Sequence, residues 1–90
     1  MAIEVRVPTI LRTHTGGAKV VSAEGATLRE LMEDVEDTHA GVRDRIVDGA
    51  ALRRFVNVYV NDEDVRFTGG LDTPLSDGDV VVILPAVAGG

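Results

Sequence analysis

The strand-like run from Val80 to Leu84 constrains the fold of this chain more than any other segment. It is apolar at every position, whereas a strand with one wet face alternates apolar and polar residues. A continuous apolar run is typical of a central strand that is covered on both faces, or of one that leaves a face for a partner. Pro85 follows directly, and then a short segment without charged side chains that ends on two glycines. We therefore expect a sheet built around this run.

The first quarter of the chain predicts a β-hairpin with a long connection. Apolar and polar residues alternate over residues 3–7, which is the pattern of a half-buried strand. Pro8 ends that strand, because proline cannot donate to a sheet ladder. We predict a loop over residues 9–17 and a second, antiparallel strand over residues 19–23.

One amphipathic helix follows the hairpin. Thr27 is a good N-cap and Glu30 stands three residues later, which is the capping-box spacing. Apolar residues then recur at the i, i+3, i+4 and i+7 positions of a helix with a single apolar stripe, namely Leu28, Leu31, Met32 and Val35. Gly41 is a suitable stop for this helix.

The second half of the chain predicts further strands. Residues 42–54 are polar, and we interpret them as a short helical turn and a loop that carry Arg43, Arg45, Arg53 and Arg54. We predict strands over residues 55–60 and 65–67, with a turn between them, and a single helical turn at residues 73–75. The Asp- and Gly-rich segment 76–79 predicts a turn before the final strand.

These elements indicate an α+β domain. The order β-β-α-β-β-β in 90 residues has few compact solutions, and we predict a β-grasp (ubiquitin-like) fold, a mixed four- to five-stranded sheet packed on one main helix. Its first and last strands should pair in parallel at the centre, with the helix in the crossover between them. We assign residues 1–85 to this domain and residues 86–90 to a flexible C-terminal Gly-Gly tail, because glycine loses the most conformational freedom on ordering.

One helix covers only one face of such a sheet. If Val81 and Ile83 face the helix, then Val80, Val82 and Leu84 form an apolar patch on the open face, directly before the tail. Contiguous exposed apolar surface of this kind often marks a protein partner. The alternative is that the arginine-containing loop folds over the patch.

We assign partner docking on this open face to three residues. Leu84 is the main candidate, with Val82 and Val65 behind it, because aliphatic and aromatic anchors dominate protein interfaces. Tyr59 and Phe67 could contribute to docking too, although we expect each of them to pack in the core or on the sheet.

The charge balance and the absence of cysteine limit the classes of function. Nine basic against fifteen acidic residues give a formal net charge of −6, which argues against a nucleic-acid partner because that affinity comes largely from Lys and Arg. The acidic surplus is compatible with docking on a basic protein face, or with solubility alone. The chain has no cysteine, so no sulfur is carried on a side chain. It shows no secretory signal and no membrane-spanning run, and we expect residence in the cytoplasm.

Metal and catalytic patterns are absent from the sequence. His14 and His39 are isolated from each other, and residues 62–64 lack the spacing of a calcium loop. Turn chemistry explains Asp77 and Asp79 more simply than a pair of catalytic carboxylates does. We therefore predict no metal site and no free-standing enzyme.

The C-terminal stretch from Leu75 to Gly90 resembles the ThiS/MoaD family of ubiquitin-like bacterial sulfur carriers. In that family a DGD turn, an apolar strand, a proline-containing exit and a final GG recur, and all of them are present here. The stretches PTILR at residues 8–12 and FVNVYVNDEDVRF at residues 55–67 narrow the resemblance to CysO-type actinobacterial carriers. Ala86 stands where many MoaD sequences have a second proline, so we expect the segment that follows the last strand to be slightly less rigid.

The resemblance implies that the reactive group is the α-carboxylate of Gly90. An E1-like adenylyltransferase/sulfurtransferase would bind the domain and adenylate that carboxylate in its own ATP site, after taking in the tail Ala86, Val87, Ala88, Gly89 and Gly90. Sulfide or a persulfide would then displace AMP and leave a thiocarboxylate. The chain is then a cosubstrate and not an enzyme; it binds no cofactor itself, and ATP is used by the activating partner.

The resemblance leaves the sulfur acceptor open. CysO-type carriers imply cysteine synthesis, with a cysteine-synthase-like PLP enzyme as acceptor and a zinc-dependent peptidase that releases the cysteine. Thiazole-synthase-like enzymes, molybdopterin synthesis and thiosugar-synthase-like enzymes of natural-product pathways use the same chemistry at the tail. The choice lies in the docking face of the acceptor and not in this sequence.

Two other functions stay open on the residues alone. The chain can be a protein modifier that is joined through Gly90 to a lysine of a target, since the chemistry is the same up to the adenylate. Lys19 is the only lysine, which disfavours lysine-linked chains of the protein on itself. It can also be a β-grasp interaction or regulatory domain whose Gly-Gly end is incidental, and a variant without Gly89 and Gly90 that keeps full function would select this alternative.

Overall fold

The computed structural model describes residues 2–49, 51–53 and 56–85 of the chain. Its strands are, in chain order, β1 Ile3–Arg6, β2 Val20–Ala23, β3 Val47–Asp48, β4 Ala51–Leu52, β5 Val56–Val60, β6 Glu63–Asp64 and β7 Val80–Pro85. Within the described residues β2, β1, β7, β5 and β6 form one five-stranded sheet in that order, and β3 pairs with β4 in a separate small hairpin. The run from Val80 to Leu84 is therefore a central strand, as its composition predicts.

The two strands at the centre of the sheet run in parallel. Val5 of β1 lies opposite Val81 of β7, whereas β2 is antiparallel to β1 and β5 is antiparallel to β7. The helical crossover between β1 and β7 makes the parallel pair possible. The predicted β-grasp topology with a mixed sheet is confirmed.

The main helix, α1 Leu28–Thr38, begins at the predicted cap. The Thr27 side chain accepts a hydrogen bond from the Glu30 backbone N–H at 3.3 Å, and the Glu30 carboxylate accepts one from the Ala26 N–H at 3.0 Å. The helix ends at Thr38, ahead of the expected stop at Gly41. Gly41 instead precedes a second, short helix, α2 Val42–Ile46. Its φ of 98° is left-handed, a conformation that glycine adopts without a steric penalty.

The core lies between the sheet and the two helices. The stripe of α1 is buried as expected, and it meets the buried side chains of β1, β5 and β7, among them Val5, Val58, Val81 and Ile83. Val42 and Ile46 of α2 are fully buried in the same cluster. The alternative in which this segment folds over the open face of the sheet is therefore wrong, because its apolar residues close the core on the helix side.

Within the described residues, three connections are 3₁₀ helices where the sequence predicts other conformations or bounds. The predicted loop over residues 9–17 is largely a 3₁₀ helix, Thr9–Thr15. The predicted strand over residues 65–67 is the 3₁₀ helix Val65–Phe67, and the helical turn expected at residues 73–75 lies earlier, at Gly70–Asp72. Segments this short have no periodicity of their own, so local hydrogen bonds decide their conformation.

No helix in the described parts of the chain combines the length and the apolar character that crossing a membrane requires.

Candidate functional site

The candidate site begins at the C-terminal end of β7. The register between β7 and β1 ends at the pair Val82–Arg6, whereas β5 pairs with β7 as far as Val56 and Pro85. Beyond Val82 the strand is therefore paired along one edge only in this register. The predicted tail, residues 86–90 with Gly90, lies outside the described residues, and its role stays a prediction.

The other end of β7 is fixed by a side-chain bridge from the turn after β5. Asn61 donates from Nδ2 to Oδ1 of Asp79 at 2.9 Å, and its own Oδ1 accepts from the Val80 N–H at 3.0 Å. The second carboxylate oxygen of Asp79 accepts from the Ser76 N–H at 2.8 Å. Both oxygens of Asp79 thus close turns, in agreement with the interpretation of residues 76–79 as a turn.

The open face of the sheet carries the predicted apolar patch. Val81 and Ile83 are buried against the helices, whereas Val80 and Val82 are half-buried and Leu84 is 46% exposed. Val82 lies between Arg6 of β1 and Tyr59 of β5 in the register of the sheet. The predicted division of β7 into two faces is confirmed, and Tyr59 is a half-buried member of the open face.

Val65 does not belong to this patch. Its side chain is fully buried in the core, because Asp64 caps the 3₁₀ helix that follows and accepts a hydrogen bond from the Arg66 N–H at 2.9 Å. The assignment of Val65 to partner docking is therefore wrong. The expectation that Phe67 packs within the domain is also wrong, since this ring is 88% exposed.

Arg66 is a feature of the site that sequence reasoning missed. Its guanidinium donates to the Asn57 side-chain oxygen at 2.6 Å and to the Val56 carbonyl at 2.5 Å. Asn57 and Val56 are the residues of β5 that pair with Leu84 and Pro85. Arg66 thus holds the strand that supports the end of β7, and it places a cation beside Leu84. Its partners lie nine and ten residues away in the chain, so no local pattern reveals them.

A search of the described residues finds no group of three or more His, Asp or Glu side chains that could hold a metal ion. The ring of His14 lies against Gly41, so close that a Cβ at position 41 would meet its Nδ1 at 2.8 Å.

Comparison with known proteins identifies the family. The ThiS family model matches residues 5–90. The chain is 57% identical to the sulfur carrier protein CysO of Mycobacterium tuberculosis over 93 residues, which covers 100% of both chains. It is 33% identical to small archaeal modifier protein 3 of Haloferax volcanii over 92 residues, again with 100% of both covered. Among solved structures it matches the Amycolatopsis orientalis BexX/CysO complex with a TM-score of 0.95 and 62% identity, covering 99% of this chain and 100% of the other. The chain belongs to the ThiS family.

Proposed function

We propose that this protein is a sulfur carrier that works through the carboxylate of Gly90. An activating enzyme transfers AMP from ATP to that carboxylate and releases pyrophosphate. Sulfide then attacks the acyl carbon, AMP leaves, and a thiocarboxylate remains. Where the terminal sulfur of a partner's persulfide attacks instead, an acyl disulfide forms, and a thiol has to cleave its S–S bond, which releases the thiocarboxylate and leaves a disulfide on the partner. The carrier passes this sulfur to an acceptor enzyme and is itself a cosubstrate.

The observation that carries the proposal is the end-to-end identity of 57% with a sulfur carrier protein. The fold supports it, because the tail follows in sequence on β7, the central strand of the sheet, which pairs with both β1 and β5. The open face beside that strand end supplies an apolar patch for the enzymes that use the tail.

The docking surface of the carrier consists of Leu84, Val82 and Tyr59, with the Arg66 guanidinium at its edge. Leu84 is the most exposed of the three apolar side chains and stands next to the start of the tail. An anchor at this point fixes the direction in which the tail leaves, because the tail has only five residues and reaches at most ~17 Å.

The partners belong to two classes. The first is an E1-like adenylyltransferase/sulfurtransferase, which holds ATP. The second is a sulfur acceptor of the cysteine-synthase-like, thiazole-synthase-like or thiosugar-synthase-like class, with a zinc-dependent peptidase downstream in the cysteine case. The relative from Amycolatopsis orientalis was solved in a complex with BexX, which supports a stable docking step between carriers of this kind and a partner protein.

Reconstitution tests the proposal. The purified chain is incubated with an E1-like enzyme, ATP and sulfide, and a thiol-selective alkylating reagent then traps any thiocarboxylate. Because the chain has no cysteine, a single ATP-dependent alkylation on the C-terminal peptide is the expected result. A chain that stays unalkylated while the same enzyme modifies an established carrier would contradict the proposal.

Protein modification is the second candidate, and the 33% identity with a small archaeal modifier protein favours keeping it. The adenylate is common to both functions, and a target lysine takes the place of sulfide as the nucleophile. Conjugates of the chain on lysines of other proteins, found together with a chain that never carries sulfur, would select the modifier function.

A further inference from the structure

Part of β5 has no strand beside its outer edge within the residues that the structure describes. β6 pairs with Tyr59 and Val60 of β5, and the ladder on that side ends there, whereas β5 begins at Val56. A sheet edge without a neighbouring strand leaves backbone carbonyls and N–H groups that need other partners. The residues from Val56 to Val58 therefore depend on other groups along this edge.

The unsupported part of β5 is also the part that holds the end of β7. β1 pairs with β7 as far as Val82. Further along β7 the register continues with β5 alone, through the pairs Leu84–Asn57 and Pro85–Val56. The position of Leu84 and Pro85 in the sheet therefore depends on the position of β5.

The alternation of the ladder shows which backbone groups of β5 face β7. The Asn61 N–H donates to the Val80 carbonyl at 2.9 Å, and hydrogen-bonded pairs alternate with non-bonded pairs along an antiparallel ladder. Steps of two residues from this pair reach Asn57 and Leu84, which therefore exchange backbone hydrogen bonds. Val56 lies in a non-bonded pair, so its carbonyl points away from β7 and toward the edge without a strand.

The Arg66 guanidinium occupies that edge. It donates to the Val56 carbonyl at 2.5 Å, to the Asn57 side-chain oxygen at 2.6 Å and to the Arg53 carbonyl at 3.3 Å. A guanidinium can serve several acceptors at once because its N–H groups form a rigid planar fork. The ion pair with Asp64 is longer, at 4.0 Å, so the closest partners of Arg66 are on β5. Arg66 thus takes the place of a neighbouring strand beside Val56.

We propose that Arg66 is a positioning residue for the activation of this protein. Its guanidinium holds β5 at Val56 and Asn57, and β5 in turn holds Leu84 and Pro85. The direction in which the chain leaves the sheet is therefore set by a side chain that stands outside β7 and acts through β5. Arg66 needs no contact with the reacting carboxylate for this role.

The consequence for the reaction rests on the proposed function. Leu84 is the docking anchor, and a partner can still seat this side chain when the strand end is loose, so KM should change little. The carboxylate to be adenylated belongs to Gly90, six residues further along the chain. Its rate of reaction depends on how often the chain leaves the sheet in the productive direction. Loss of Arg66 should therefore lower kcat more than it raises KM.

Amide hydrogen exchange of the ¹⁵N-labelled full chain tests the positioning without any enzyme. Arg66→Gln removes the guanidinium, and Arg29→Gln is the matched control, because Arg29 forms its exposed ion pair from α1. The Leu84 amide should exchange about tenfold faster in Arg66→Gln, while the Val82 amide stays within about twofold of the parent. Arg29→Gln should leave both rates unchanged. A Leu84 rate that is equal in all three chains, or an equal acceleration of Leu84 and Val82, would overturn the proposal.

Steady-state adenylation by an E1-like enzyme, followed as pyrophosphate release, tests the consequence. We expect Arg66→Gln to lower kcat about tenfold and to change KM by less than about threefold, and Arg29→Gln to match the parent. A raised KM with an unchanged kcat would overturn the proposal by making Arg66 a docking contact, and unchanged values of both would overturn it as well.

Arg66→Lys separates the geometry of the guanidinium from its charge. A single ammonium keeps the charge but lacks the planar fork, so its Leu84 exchange rate and its kcat should lie between those of the parent and Arg66→Gln. A lysine chain identical to the parent in both would overturn the role of the paired hydrogen bonds. A parent chain that is not adenylated would contradict the proposed function instead, while the exchange rates would still decide whether Arg66 holds the strand end.

Discussion

Asn61 and Asp79 form a side-chain bridge of 2.9 Å between the turn after β5 and the residue that precedes β7. Asn61 adopts a left-handed φ of 50°, a conformation that asparagine tolerates better than most residues. From there its side chain also accepts the Val80 N–H. The bridge thus fixes the first residue of the strand whose other end carries the tail.

We expect Asn61→Ala to lower the free energy of unfolding by roughly 2 kcal/mol, since two exposed hydrogen bonds are lost and alanine is strained at positive φ. Urea denaturation measures the change. Asn61→Gly loses the same hydrogen bonds without the strain, so the alanine chain should be the less stable of the two by about 1 kcal/mol. Equal stability of the two variants would contradict the strain at this position.

A second prediction concerns Gly25, which precedes the cap of α1. A Cβ at this position would lie 2.5 Å from the backbone N of Leu31, so the first turn of the helix would have to move. We expect Gly25→Ala to cost about 2–3 kcal/mol of unfolding free energy. The matched control is Gly16→Ala, which meets nothing within 4 Å but has a φ of +66° and should cost about 1 kcal/mol. A Gly25→Ala chain as stable as Gly16→Ala would show that the close approach of the added Cβ to Leu31 does not lower the stability.

The third prediction tests the docking patch. Leu84→Ala should raise KM for the activating enzyme about 30-fold, the effect of losing an interface anchor worth about 2 kcal/mol. Ile10→Ala is the control, since Ile10 is 66% exposed against 46% for Leu84 but lies in the 3₁₀ helix Thr9–Thr15, outside the sheet. We expect both variants to keep the thermal stability of the parent within a few degrees. An equal change in KM for both would mean that Leu84 has no special position.

The fourth prediction concerns the end of the chain. Adding one residue after Gly90 should abolish sulfur transfer, because the group to be adenylated is then displaced from the active site of the partner and is no longer on glycine. The thermal unfolding curves of the natural and extended chains should coincide, because the added residue follows Gly90, which is itself five positions further along the chain than the end of β7 at Pro85. Sulfur transfer by the extended chain would contradict the terminal-carboxylate mechanism.

Much of the fold follows from patterns that are visible in the sequence. The continuous apolar run at residues 80–84 predicts the central position of β7, and the Thr27–Glu30 capping box predicts the first turn of α1; both are confirmed. Because successive side chains of a strand point to opposite faces of the sheet, the strand assignment also predicts which side chains of β7 share a face. Each of these signals depends on residues that are close together in the chain.

The features that sequence reasoning missed depend on contacts between distant segments. Val65 is an apolar residue in a short segment that has no pattern of its own. Asp64 caps this segment as a 3₁₀ helix, and the Val65 side chain lies in the core. Phe67 is the last residue of that helix, and its ring lies on the solvent side, although aromatic rings are usually largely buried. The hydrogen bonds from Arg66 to the Asn57 side chain and the Val56 carbonyl of β5 join atoms that only the fold brings together.

The intact mass of the protein, recovered from the cells in which it naturally occurs, shows whether Gly90 carries sulfur. The protein must carry no C-terminal tag. The account predicts a fraction in which one oxygen is replaced by sulfur and which a thiol-selective reagent alkylates, whereas oxidation of either of its two methionines gives no alkylation. A chain found only as the free carboxylate and as larger conjugates with other proteins would contradict the sulfur-carrier account.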